Sequence, residues 1–182
     1  KFYFPKPRHP VEWILAGAIA LEGAIIFFSA GSHGLGWDGL LNWEVKARYA
    51  FLNDGVIPAA YYHSASRAYT HPGYPLLIPL TELWFYRWMG EINQFFIKLI
   101  FPLYYAAGAI LLATAGTRLT NRRWPGLAAS ALLFFVPALT SAPGDAAGGY
   151  ADFPLGVLYL CSFAFLLLFS MSGPAFYLRV FA

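Results

Sequence analysis

Apolar runs long enough to cross a membrane alternate along the chain with shorter segments that mix aromatic, charged and turn-forming residues. Four runs, 11–30, 94–117, 124–141 and 153–172, lie near the roughly 20 residues that a helix needs to cross about 30 Å of hydrocarbon. Between the first two lies 31–93, where two stretches show helical character without the length of a span. In 39–52, Leu40, Trp43, Ala47 and Phe51 recur at helical spacing, and Glu44 and Arg48 stand four apart in the favourable order. Asn53, Asp54 and Gly55 close that pattern with turn chemistry. The stretch 74–90 is apolar but short and carries Glu82 and Arg87. Both stretches are predicted to be amphipathic helices lying in the membrane interface. The expected fold is all-α: a polytopic transmembrane helical bundle forming one domain over 1–182. Its first external loop, 31–93, holds the interfacial helices, and a second, 142–152, is shorter. The tail 176–182 reads as the start of another element, so the chain is expected to be the N-terminal part of a longer protein.

Composition narrows the class. The chain is 59% hydrophobic and 12% charged, with a mean hydropathy of +0.54, against about 45–50% apolar and 25% charged in ordinary soluble domains. A soluble enzyme and a disordered tail are excluded. Trp and Tyr gather between the runs, as residues at headgroup depth do. The lone Cys161 supports neither a disulfide framework nor a cysteine metal site. Of the twelve basic residues, Lys1, Lys6 and Arg8 precede the first run and Arg118, Arg122 and Arg123 separate the second from the third. Positive-inside logic puts both groups in the cytoplasm and both large loops outside, provided 74–90 does not cross. The basic residues form no stripe for nucleic acid, and paired half-helices of a transporter are not evident.

The external loops hold the candidate chemistry. Asp38 opens the first amphipathic helix, where it reads either as an N-cap or as a carboxylate held at the water boundary, two compatible roles. Lys46 either contacts a lipid phosphate or snorkels. His63, Arg67 and His71 precede Pro72-Gly73-Tyr74-Pro75, and their spacing fits no standard metal motif, so neither metal nor cofactor is expected. The second loop carries Asp145, Tyr150 and Asp152 among glycines; Asp152 reads as a cap of the last span or as a carboxylate at its mouth. Inside the first span, Glu22 requires a partner. Lys98, at similar depth, is expected to pair with it structurally.

Trp37-Asp38 with Trp43 and Lys46-Ala47, then His71-Pro72-Gly73-Tyr74-Pro75, then an arginine-terminated span and Gly149-Tyr150-Ala151-Asp152-Phe153-Pro154, together resemble the GT-C superfamily of integral-membrane glycosyltransferases. The similarity is greatest to the bacterial relatives of protein mannosyltransferases and of the lipid A aminoarabinose transferase, and it covers nearly all of the chain. Family members carry more spans and often a C-terminal external domain. Their second external aspartate aligns with Asp152, whereas Asp145 has no clear counterpart. The resemblance implies a polyprenyl-phosphate-linked sugar as donor, a glycan, lipid or protein acceptor, inversion at the sugar, and an active face outside the bacterial inner membrane. On that reading Asp38 is the general base. Lys46, Arg67 and His71 are donors to the leaving phosphate, Trp37, Trp43 and Tyr74 stack on sugars, and Asp145, Tyr150 and Asp152 bind substrate. The alternative is a non-catalytic membrane subunit, or a degenerate GT-C relative, that scaffolds a larger complex with other membrane subunits.

Overall fold

The computed structural model describes residues 6–140, 146 and 148–172. Among these residues every element is helical, and three helices are long and apolar enough to cross a membrane: Pro10–Ser32, Gln94–Thr120 and Asp152–Met171. The first, α1 (Pro10–Ser32), starts on a proline suited to an N-terminal turn, and the Arg8 amide donates to Glu12 Oε2 at 2.7 Å. A π-helical turn, Gly39–Glu44, then runs directly into α2 (Val45–Leu52). The helix ends where Asp54 and Gly55 take positive φ, at the turn expected from sequence. Next come α3 (Ala59–His63), a 3-10 turn (Ala65–Thr70) and α4 (Leu77–Met89). The chain continues through α5 (Gln94–Ile97), α6 (Ile100–Thr120), α7 (Arg123–Leu132), α8 (Pro137–Thr140) and α9 (Asp152–Ser172).

α6 is the hub, packed by α1, α7 and α9. Small residues set its contact with α7: a Cβ on Gly116 would stand 2.8 Å from Gly126 Cα, and one on Gly126 would collide with the Ala113 carbonyl oxygen. The Ser130 hydroxyl donates across the same contact to the Ala109 carbonyl at 2.9 Å. Close backbone approach and a hydroxyl bond are how helices associate where hydrophobic burial drives little. The run 124–141 is not one helix. A 3-10 turn at Leu133–Phe135 interrupts it, and Val136 is extended (φ −84°, ψ 106°) because the ring of Pro137 disfavours a helical residue before it.

Glu22 does not pair with Lys98. Its carboxyl lies beside Tyr105 of α6, while the Lys98 ammonium sits 5.2 Å from the centroid of the Phe95 ring. Equal depth along two helices does not put side chains on facing sides, and here it did not.

The short helices form a layer at one end of the long ones. Trp43, Ala47 and Ala50 pack with Ile78, Leu83 and Tyr86 of α4, with Ile97 of α5 and with Ile100 and Phe101 at the head of α6. The second loop joins this layer: the Gly36 amide donates to the Gly148 carbonyl at 2.8 Å, and Gly149 (φ 81°) fits between Leu35 and Phe101 where a Cβ would clash. Arg122 and Arg123 lie at the other end of α6, a helix of 21 residues and so about 32 Å long.

Candidate active site

The π-helical turn explains how Asp38 is held. Its wide i to i+5 register carries Trp43 back over Asp38, and the Trp43 indole N–H donates to Asp38 Oδ2 at 2.8 Å. The Asn42 amide donates to Oδ1 of the same carboxylate. Asp38 makes no side-chain capping bond, so the cap reading gives way to a half-buried carboxylate fixed by two side-chain donors. Asn42 was invisible to the sequence reading, because a polar residue at i+4 has no reason to bond Asp38 until the turn is known.

Lys46 does not snorkel. It is fully buried, with its ammonium donating to the Asn42 carbonyl at 2.7 Å and lying 5.2 Å from the Trp43 ring and 5.8 Å from that of Tyr74. Burial lowers its pKa to about 8, against the pull of the Asp38 and Glu82 carboxylates, which favour the charged form. Trp43 stacks on Tyr74 (5.7 Å) and Tyr74 on His71 (4.6 Å, 11° between planes), so Asp38, Trp43, Lys46, Tyr74 and His71 form one continuous cluster. His71 is exposed and left-handed (φ 45°), an unusual backbone for a residue with a Cβ.

Beside this cluster an apolar cleft of about 290 Å³ opens between the layer and the first turns of α9, lined among others by Trp43, Tyr74, Ile78, Asp152 and Leu158. Tyr74 also lines a broader, more open groove of mixed polar and apolar lining with Tyr62, His63, Ser64 and His71. Tyr74 therefore stands between the apolar cleft and a more open groove of mixed lining. Tyr150 rests on Gly36, where the two loops meet. Trp37 is 78% exposed and presents an open aromatic face. Arg67 is held elsewhere: its guanidinium lies 4.6 Å from the Tyr49 ring and donates to the Tyr49 hydroxyl. Asp145 lies outside the described residues.

No family model, curated protein or solved structure matches the chain. What the site can do is set by its own geometry. Among the described residues no three His, Cys, Asp or Glu side chains are grouped to hold a metal ion.

Beneath the cluster lies a second set of buried polar groups. Glu44, 1% exposed, accepts from the Tyr86 hydroxyl at 2.7 Å and pairs with Arg48 at 3.0 Å, so the i, i+4 pair read from sequence forms with its carboxylate buried and its guanidinium 40% exposed. Glu82 is fully buried, and neither of its oxygens has a hydrogen-bond partner. Burial, then the nearby Glu44 carboxylate, raise its pKa well above the usual carboxylate range, with Lys46 opposing.

Proposed function

We propose that the protein is a membrane glycosyltransferase that moves a sugar from a polyprenyl-phosphate donor to an acceptor hydroxyl, with inversion. The observation that carries this reading is a carboxylate fixed by Asn42 and by Trp43, which itself lines an apolar cleft, with an open groove bearing His63, Ser64 and His71 on the far side of Tyr74. The cleft suits an isoprenoid chain, and the groove suits the hydroxyl-bearing acceptor. In the reaction the acceptor oxygen attacks the anomeric carbon as Asp38 takes its proton. The bond from sugar to phosphate oxygen breaks, and polyprenyl phosphate leaves with the electron pair. Negative charge grows on that phosphate, where His71 is positioned to donate and Lys46 supplies a cationic field through the aromatic wall. Asp152 at the cleft mouth orients the sugar.

This reading places the long helices in the bilayer of a bacterial inner membrane as part of a polytopic bundle, with the layer on the outer surface. Single cysteines introduced in a Cys161→Ser background test it. An impermeant thiol reagent on intact cells is expected to label positions 38 and 91 and to spare 122. Labelling of 122 with protection of 38 overturns the orientation. The function itself is tested with purified protein in nanodiscs, supplied with polyprenyl-phosphate sugars and hydroxyl acceptors. Release of polyprenyl phosphate with a new glycosidic bond is expected. Tight binding of such lipids without turnover would favour a scaffolding subunit instead.

A further inference from the structure

A second hollow lies farther along α9, away from the layer of short helices. It is a furrow of about 440 Å³ between α6 and α9, lined among others by Tyr104, Ala107, Leu111, Leu158, Cys161 and Phe165. Leu158 lines the cleft beside Trp43 and Tyr74 as well, so the two hollows meet at that side chain. Leu158, Cys161 and Phe165 stand three and four apart on α9, and Tyr104, Ala107 and Leu111 do the same on α6. Each set is therefore one ridge of its helix, and the furrow runs along the two helices instead of across them. Beyond it Leu111, Ala115 and Ala164 pack together, and these small side chains draw the helices close. From Asp152 at the cleft mouth to Phe165 at the far end, α9 rises by about 20 Å. One leaflet supplies only about half of the roughly 30 Å of hydrocarbon. The combined path thus runs deeper than an acyl chain of the outer leaflet reaches.

We propose that the furrow between α6 and α9 is the distal site for the donor's isoprenoid chain, which leaves the cleft over Leu158 and lies along Cys161 and Phe165. The proposal rests on the polyprenyl-phosphate reading of the cleft and adds to it a preference for long donors. Bilayer hydrocarbon is as apolar as the furrow, so packing and not removal from water holds the chain there. Double bonds recur along an isoprenoid and leave it fewer freely rotating bonds than an acyl chain of equal length. Fixing it in a furrow therefore costs less entropy. A short isoprenoid phosphate ends before Leu158 and gains nothing from the furrow.

The test uses purified protein in nanodiscs with undecaprenyl phosphate, geranyl phosphate and a form of the long lipid that carries a photoreactive diazirine in the distal half of its chain. Tail adducts are expected on the segments from Tyr104 to Leu111 and from Leu158 to Phe165, and excess undecaprenyl phosphate is expected to displace them. Cys161→Trp fills the furrow at a position that does not line the cleft. It is expected to remove those adducts and to weaken undecaprenyl phosphate binding about fivefold, the effect of losing about ten atom contacts. Geranyl phosphate is expected to bind as it does to wild type. Ala107→Trp fills the furrow from an exposed position on α6 and is expected to give the same result should Cys161→Trp fail to fold. Phe163→Trp, at an exposed position of α9 outside the furrow, is the control. Adducts spread evenly over the lipid-facing sides of α1 and α9, or equal weakening of both lipids, overturn the furrow and leave the donor reading of the cleft standing. Adducts there from a diazirine phospholipid that undecaprenyl phosphate does not displace assign the furrow to bulk lipid and are equally contrary. Failure of both isoprenoid phosphates to bind overturns the donor reading and the furrow with it. Tail adducts in the furrow of a protein that transfers no sugar support the proposal and count against the enzyme.

Discussion

Asp38→Asn is expected to lower sugar transfer by about 10²- to 10⁴-fold, the range that a positioned general base contributes, while expression and donor-lipid binding stay near wild type. Asparagine keeps the shape and one good acceptor oxygen, so either the Trp43 indole or the Asn42 amide retains its bond. It cannot accept the acceptor's proton. The substitution also deprives Lys46 of one of the two carboxylates that favour its charged form. The assay therefore belongs well below pH 8, where Lys46 stays protonated in both proteins and the comparison reports on the base alone. Turnover at the wild-type rate would remove Asp38 as the base. A loss confined to alkaline pH would assign it an electrostatic role toward Lys46.

Gly126→Leu is expected to destabilise the helical bundle by about 3 kcal/mol or more, the upper end of what overpacking costs. A Cβ at this position meets the Ala113 carbonyl and the Thr117 amide of α6, which are backbone atoms that cannot rotate away. The two helices must separate, and the Ser130 bond to the Ala109 carbonyl is lost with the contact. Gly156→Leu is the matched control, because nothing lies within 4 Å of a Cβ there. Denaturant or thermal unfolding in detergent reads the difference. Equal stability of the two variants would mean that α6 and α7 do not meet through these glycines.

Some of this architecture is local and was legible. Hydropathy and length marked α1, α6 and α9 because each is apolar over a complete span. The Asn53-Asp54-Gly55 turn and the Glu44–Arg48 pair depend on neighbours three or four residues away, and both formed. The break at Pro137 was equally local, and reading 124–141 by hydropathy alone passed over the restriction that proline places on Val136.

The candidate site was legible in part. Asp38, Trp43, Lys46, His71 and Tyr74 stand out as polar or aromatic residues beside apolar runs, and the structure brings them into one cluster. Their roles within it were not readable. Whether Lys46 snorkels or is buried depends on α4 and Tyr74 covering it, and whether Glu22 meets Lys98 or Tyr105 depends on how α1 rotates against α6. The contact of Glu44 with Tyr86 joins residues 42 apart in the chain. Sequence by itself determined where the helices lie, because helix formation and burial in an apolar medium depend on periodicity and composition within a few turns. Only the tertiary structure decided which polar groups face one another, because that depends on the rotation and packing of whole helices, and a rotation of one residue, about 100°, exchanges a partner for an apolar wall.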